Sequence, residues 1–147
     1  MGIYQAAKIT DPTVASMSLT NFAAHKLANN EMVRTLTGKG PEEDLSEVDL
    51  LLAMEILRRK CVVGLVARME ESMVRFHGYF GWYALMVDGV SQCQSELLAP
   101  STAQRVPLPR EGSDTFNIMM AQNRLDLRLY EYALYMYDMQ GGNSRTA

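Results

Sequence analysis

Residues 53–82 read AMEILRRKCVVGLVARMEESMVRFHGYFGW, and they give the clearest order of elements in the chain. Apolar residues spaced three and four apart predict a helix over residues 47–60, which Ser46 opens as N-cap. The apolar run of residues 61–66 follows at once. Its valines and its short length predict a buried strand that needs partner strands. A second amphipathic helix is predicted over residues 67–80. This order favours an α/β layer.

The two helices that flank the predicted strand each carry one apolar face. The members of each face recur at helical spacing, three or four residues apart. They are Leu50, Ala53, Met54 and Leu57 on the first helix, and Met69, Met73, Phe76 and Phe80 on the second. Three cations at residues 58–60 end the first helix, where they favour the negative end of its dipole. We therefore expect both helices to pack against a doubly buried strand.

Weaker signals predict further helices on both sides of this region. Asp11 and Pro12 give a helix start, and Gly38-Lys39-Gly40-Pro41 marks a helix end. The remaining caps and the helices they open are Ser18 with residues 19–28, Ser113 with residues 115–122, and Asn123 with residues 124–140. A helical or turn-like segment is expected at residues 31–36. The fold class predicted for this chain is α/β and predominantly helical, with one clear buried strand at about residues 61–66.

Composition is that of an ordinary globular domain. The 147 residues are 48% hydrophobic and 21% charged, with a net charge of -3 that gives no electrostatic argument for nucleic acid. The predicted organisation is a weakly structured lead-in at residues 1–16, one domain at residues 17–140 and a disordered tail at residues 141–147. No signal peptide and no apolar run long enough to cross a bilayer occur, which predicts a soluble, cytoplasmic chain as written.

Motifs that carry chemistry are scarce. The sequence contains no Gly-rich phosphate loop, no Ser elbow and no Cys-x-x-Cys pair. His25 and His77 stand alone on separate predicted helices, and no metal site is predicted. Cys61 and Cys93 could form one disulfide or remain free. Arg34 follows two asparagines in a tight segment, where it is either a surface charge or a ligand for an anion.

Three segments, taken in order, resemble the C-terminal part of the membrane-type carbohydrate sulfotransferases, the family that includes heparan sulfate 2-O-sulfotransferase-like enzymes. Residues 30–38 are similar to an Asn…Arg-x-Leu-x-Gly segment of that family. Residues 49–82 resemble its helix, its Val-Gly-Leu strand, its Glu-x-Ser helix and a closing Gly-Trp. Residues 123–140 look like its terminal helix, with Asp126, Leu129 and Tyr130 matching. The resemblance covers residues 17–140.

The resemblance implies a P-loop-like fold with a parallel sheet and transfer of a sulfonate group from 3'-phosphoadenylyl sulfate (PAPS) to a carbohydrate hydroxyl. In the family, the cofactor loop and the catalytic base lie upstream of the matched part. This chain alone is therefore expected to be an inactive piece of a longer enzyme, with unknown catalytic residues. The resemblance leaves Asn30 and Arg34 as the candidate substrate- or cofactor-binding residues. Full-length relatives are expected in the Golgi membrane and act on a carbohydrate acceptor.

A second interpretation of the same residues stays open. The chain contains 11 Met and 7 Tyr residues, and many of them fall on predicted helix faces. Met fills irregular gaps in a core, but it also forms adaptable binding surfaces. The alternative is a helical interaction module without catalytic activity, which binds a protein partner through faces rich in Met and Tyr.

Overall fold

The computed structural model describes residues 16–25, 29–82 and 109–142, which form helices and connections and include no strand. The helices are α1 (Leu19–Ala23), α2 (Glu31–Thr37), α3 (Glu47–Lys60), α4 (Met69–Phe80), α5 (Asp114–Gln122) and α6 (Arg124–Gly142), with a 3-10 turn at Val66–Arg68 before α4. The predominantly helical character predicted for the chain is confirmed. Within these ranges, no helix combines the length and the apolar character needed to cross a membrane.

The chain divides into two compact units, and the boundaries between them fall inside α3 and α6. Unit 1 contains the described residues up to 53 together with 109–129, and unit 2 contains 54–82 together with 130–142. The buried apolar residues of unit 1 are Ala23, Val33, Leu50, Ala53, Leu125 and Leu129. In unit 2, Leu57, Tyr132, Ala133 and Leu134 pack against a cluster of buried residues, which are Val63, Leu65, Met136 and Tyr137.

Local signals placed most helix ends correctly. The Ser18 and Ser113 hydroxyls accept the N–H groups of Asn21 and Phe116 at 3.2 and 3.3 Å, as predicted for N-caps. Gly38 ends α2 with a positive φ of 73°, a conformation that glycine adopts without steric cost. Helix α1 ends at Ala23, before the predicted end at residue 28. The helix start predicted at residues 11 and 12 lies outside the described residues.

The buried strand predicted at residues 61–66 is not formed, and the described residues contain no parallel sheet. Residues 61–65 have no regular secondary structure, with Leu65 in an extended conformation, and Val66 begins the 3-10 turn and is 84% exposed. Side chains, rather than neighbouring strands, form hydrogen bonds with the backbone of this segment. The Gln140 amide accepts the Val63 N–H at 2.9 Å and donates to the Cys61 carbonyl at 3.0 Å. These bonds give two backbone groups of the segment partners without a sheet.

Ser72 joins the C-terminal end of the segment 61–65 to α4. Its hydroxyl accepts the Leu65 N–H at 2.9 Å and lies 2.8 Å from the Arg68 carbonyl. Ser72 is 1% exposed, so its removal would leave a buried N–H without a partner.

We expect Ser72→Ala to lower the free energy of unfolding by about 1–3 kcal/mol, the cost of a buried unsatisfied group. Urea unfolding of unit 2 can be followed by the fluorescence of Trp82, the one tryptophan in the sequence. Val74→Ala is the matched control, because Val74 is exposed on the same helix and its truncation should change stability by less than about 0.5 kcal/mol. Equal effects of the two substitutions would contradict the role assigned to Ser72.

The buried face of α4 matches the predicted one in part. Three of the predicted residues are half-buried, namely Met69, Met73 and Phe76. Phe80 is half exposed and stacks on Trp82, with ring centroids 4.6 Å apart, whereas the buried residues of the helix are Ser72 and His77. The segment 61–65 lies against the side of α4 that carries Ser72 and Phe76. A Cβ atom at Gly64 would come within 2.5 Å of the Phe76 ring, so the absence of a side chain there permits the close packing.

Candidate functional site

The N-termini of α2 and α6 lie together in unit 1, and each helix is capped by a residue of the other segment. The Asn30 carbonyl oxygen Oδ1 accepts the N–H groups of Leu125 and Asp126 at 2.8 and 3.1 Å. The Asp126 carboxylate accepts the N–H groups of Met32 and Val33 at 2.9 and 2.8 Å. First-turn N–H groups have no partner inside their own helix, so these bonds stabilise both helix starts. A carboxylate also favours the positive end of a helix dipole.

Asn123 does not cap α6 as predicted. Its Oδ1 accepts the backbone N–H of Asn30 at 2.9 Å, and its Nδ2 donates to the Met119 carbonyl at the end of α5, also at 2.9 Å. The acceptor that caps α6 comes instead from Asn30, which adopts a left-handed conformation with φ 44° and ψ 49°. Asparagine tolerates this conformation better than most residues, because its side chain forms local hydrogen bonds.

Arg34 binds backbone and side-chain oxygens of the protein itself. Its Nε and Nη2 donate to the carbonyl and the Oδ1 of Asn29 at 3.0 and 3.1 Å, and its Nη1 donates to the carbonyls of Gly40 and Glu43. Asn29 in turn donates to the backbone and side-chain oxygens of Gln122. Arg34 therefore holds the loop that follows α2 against the segment that precedes it.

Both residues predicted to bind a substrate or cofactor line one polar cavity of about 350 Å³ in unit 1. The structure thus brings Asn30 and Arg34 together, although the hydrogen bonds above occupy their polar groups. The cavity is also lined by the exposed acidic residues of the 42–44 run and by Arg124. A binding role for Asn30 and Arg34 stays a prediction.

Asp49, at the start of α3, is a carboxylate whose pKa is strongly lowered. Its Oδ1 lies 2.9 Å from the Lys39 ammonium, and its Oδ2 accepts the N–H and the hydroxyl of Ser46, both at 2.7 Å. Asp49 accepts the N–H of Ser46 as the acidic residue of a capping box does, but the Ser46 hydroxyl donates to the same carboxylate. The bonds from Lys39 and then Ser46 lower the pKa of Asp49 from 3.8 to about 2.

The shifted pKa predicts a pH dependence of stability. The folded state holds Asp49 ionised, so its contribution is complete above about pH 4 and is lost as the pH falls towards 2. We expect the stability difference between the wild type and Asp49→Asn to shrink over this range, as measured by urea midpoints from pH 6 to 2. Asp44→Asn removes an exposed carboxylate of the same loop and is the control. A constant difference for Asp49→Asn would contradict the assignment.

Other candidates from the sequence are separate. His25 follows α1 in unit 1, and His77 lies buried in α4 of unit 2. Cys61 is a free thiol, and Cys93 lies outside the described residues. In the part of the chain that the structure describes, no group of three or more His, Cys, Asp or Glu side chains is arranged to hold a metal ion.

The described residues form a helical protein of two compact units. In unit 1, the starts of α2 and α6 are far apart in sequence, and each is capped by a residue of the other segment. No family model, no curated protein and no solved structure matches the chain. The sulfotransferase resemblance therefore remains a prediction from sequence.

Proposed function

We propose that this chain is part of a sulfotransferase-family protein that transfers a sulfonate group from PAPS to a carbohydrate hydroxyl. One observation carries the proposal: two of the segments that resemble the family are bonded to each other. Asn30 belongs to the first segment and Asp126 to the third, and their hydrogen bonds join residues 93 to 96 positions apart. Proteins that share these contacts are expected to keep the motifs in the same order, because a buried polar network specifies one arrangement of the residues that form it.

The middle segment supports the same interpretation. The Ser of its Glu-x-Ser pattern is Ser72, which binds the backbone of Leu65, and the Gly of its Val-Gly-Leu pattern is Gly64, which lies against Phe76. Motif residues in all three segments therefore make defined contacts within their own unit. These contacts are structural. We therefore propose that the described residues stabilise the fold in which the reaction takes place.

The sulfonate donor does not fit the cavity beside Arg34. A phosphosulfate group needs donors that are available to it, and the Arg34 guanidinium would have to release carbonyl oxygens to supply them. The three acidic lining residues 42–44 would also repel the donor. We therefore propose that the parallel sheet and the PAPS site of the family are formed by other parts of the protein.

Three measurements test the proposal. Calorimetric titration of PAPS into this chain is expected to give no micromolar binding, and micromolar binding would contradict the division of roles. Sequencing of transcripts and genomic DNA upstream of the Met1 codon is expected to give an open frame that encodes a strand and a Lys/Arg-Ser phosphate loop. A promoter directly before that codon would contradict the family proposal itself. Transfer of labelled sulfonate from PAPS to carbohydrate acceptors then tests the longer product.

A second candidate is the helical interaction module without catalytic activity, which binds a protein partner. The observation that favours it is the exposure of Tyr130, Tyr135 and Met139 on α6, each more than half accessible. Tyr135 and Met139 are four residues apart and share one side of the helix. Large exposed apolar groups on one side are a feature of binding helices.

The second candidate predicts a partner whose binding depends on this side of α6. The wild-type chain and a Tyr135→Ser/Met139→Ser variant would be compared as baits, with Glu131→Ala on the same helix as control. We expect a stoichiometric partner to be retained by the wild type and the control and to be lost by the double variant. Equal recovery on all three baits would exclude this side of the helix as the binding surface.

A further inference from the structure

In a second cavity, in unit 2, half of the lining residues are cations. Its volume is about 370 Å³, and its lining residues are Arg58, Arg59, Lys60, Cys61, Val62, Arg75, Tyr79 and Gln140. Three of the cations come from the C-terminus of α3, and the fourth comes from α4. We propose that this cavity is a binding site for a phosphate or sulfate group. The inference does not depend on the proposed function.

The charges around the cavity are only partly compensated. Arg58 and Arg59 share one carboxylate, that of Glu55, and Arg75 pairs with Glu71. Lys60 is exposed and makes no ion pair among the described residues. Two carboxylates therefore face four cations, and neither carboxylate lines the cavity. An anion that enters would meet net positive charge.

The helix dipole explains why cations stand at the end of α3, but it does not account for Arg75. That side chain comes from α4 and is 18% exposed. Its guanidinium lies 3.6 Å from the centroid of the Tyr137 ring and donates to the Tyr137 carbonyl. Because its Nη1 and Nη2 groups already bind Tyr137 and Glu71, Arg75 contributes fixed positive charge to the cavity. Arg59 and Lys60 supply the direct donors to an anion.

The remaining lining groups suit a ligand with one charged end. Arg presents planar donors that match phosphate and sulfate oxygens, while Lys supplies a compact charge. The Tyr79 ring and the Val62 side chain offer apolar surface beside these cations. This combination fits an organic phosphate or sulfate ester whose carbon skeleton contacts Val62 and Tyr79. Because three of the four cations already pair with carboxylates, we expect its affinity, including that of PAPS for this cavity, to be weaker than micromolar.

The test uses inorganic phosphate and, separately, inorganic sulfate as probes of the full chain, in chloride buffer at constant ionic strength. Amide shifts of Lys60, Cys61 and Val62 in ¹H–¹⁵N spectra give a local dissociation constant. We expect saturable shifts, with Lys60→Gln and Arg59→Gln each weakening binding at least about fivefold, which is a loss of about 1 kcal/mol. Arg110→Gln makes the same change of charge at an exposed arginine of unit 1 and should bind as the wild type does.

Each outcome bears on the proposal. Binding of phosphate alone or of sulfate alone supports the site and identifies the group, and binding of both supports the shared chemistry. Shifts without saturation, or equal weakening by Arg110→Gln, would overturn it. Circular dichroism checks that each variant is folded, and both substituted cavity residues are exposed, so their replacement should leave the helices intact. As a second readout, bound anion should slow alkylation of Cys61, measured by peptide mass spectrometry.

Discussion

Asn30→Ala is expected to lower the free energy of unfolding by about 2–4 kcal/mol, more than a surface substitution would. The change removes the acceptor for the N–H groups of Leu125 and Asp126, and Leu125 is buried. It also places alanine in a left-handed conformation that asparagine tolerates better. A lost N-cap costs about 1 kcal/mol, and an unsatisfied buried donor adds about 1–3 kcal/mol. The measurement is urea unfolding followed by far-ultraviolet circular dichroism.

Two further substitutions separate the causes of that loss. Asn30→Asp keeps an oxygen acceptor at the start of α6 and should stay within about 1 kcal/mol of the wild type, since acidic caps are equally favoured. Asn30→Gly keeps the positive φ without strain but lacks the acceptor, so it should lose stability through the hydrogen bonds alone. A fully stable Asn30→Gly variant would show that the capping bonds contribute little.

Tyr137→Ala is expected to have the largest effect, a loss of about 3–5 kcal/mol, as for other large aromatic truncations in a core. Tyr137 is 0% exposed and belongs to the buried cluster of unit 2 together with Val63 and Leu65. Its ring also lies beneath the Arg75 guanidinium. The truncation therefore opens a cavity and removes a cation–π contact at the same time. Unfolding monitored by Trp82 fluorescence measures the change in unit 2.

Tyr137→Phe is the control for this prediction. It keeps the ring, the packing and the cation–π contact, so it should remain within about 1.5 kcal/mol of the wild type, as shape-conserving core changes usually do. Tyr135→Ala removes an exposed tyrosine from the same helix and should change stability by less than about 0.5 kcal/mol. A Tyr137→Ala protein as stable as Tyr135→Ala would contradict the burial on which the prediction rests.

Local sequence signals predicted the helices well because their causes are local. Helix α3 covers residues 47–60 as expected, and Gly38 ends α2 with a positive φ. The prediction of a strand at residues 61–66 was wrong, because a strand depends on partners elsewhere in the chain. An apolar run rich in Val predicts an extended chain, but it does not identify what will bind its backbone. The partner here is the side chain of Gln140, some 77 residues away from Val63.

The candidate site was predictable in part. Sequence reasoning selected Asn30 and Arg34, and both line one cavity, yet it missed Asp126 as the residue that caps α2. From the sequence, an Asp in the first turn of α6 is expected to stabilise the start of its own helix. Its use by another helix depends on tertiary structure, which spacing along the chain does not encode. The cation cluster of unit 2 was attributed to the helix dipole, because Arg75 joins it only in the folded protein.

The mutual capping of α2 and α6 has a consequence for the order of folding. The bonds that complete the start of α2 come from residues 93 to 96 positions further along the chain. Contacts of such sequence separation form late, because the entropy of closing a long loop must be overcome first. During synthesis, α2 therefore has no acceptor from Asp126 until residue 126 has left the ribosome. Unit 1 can complete its folding only after most of the chain has been made.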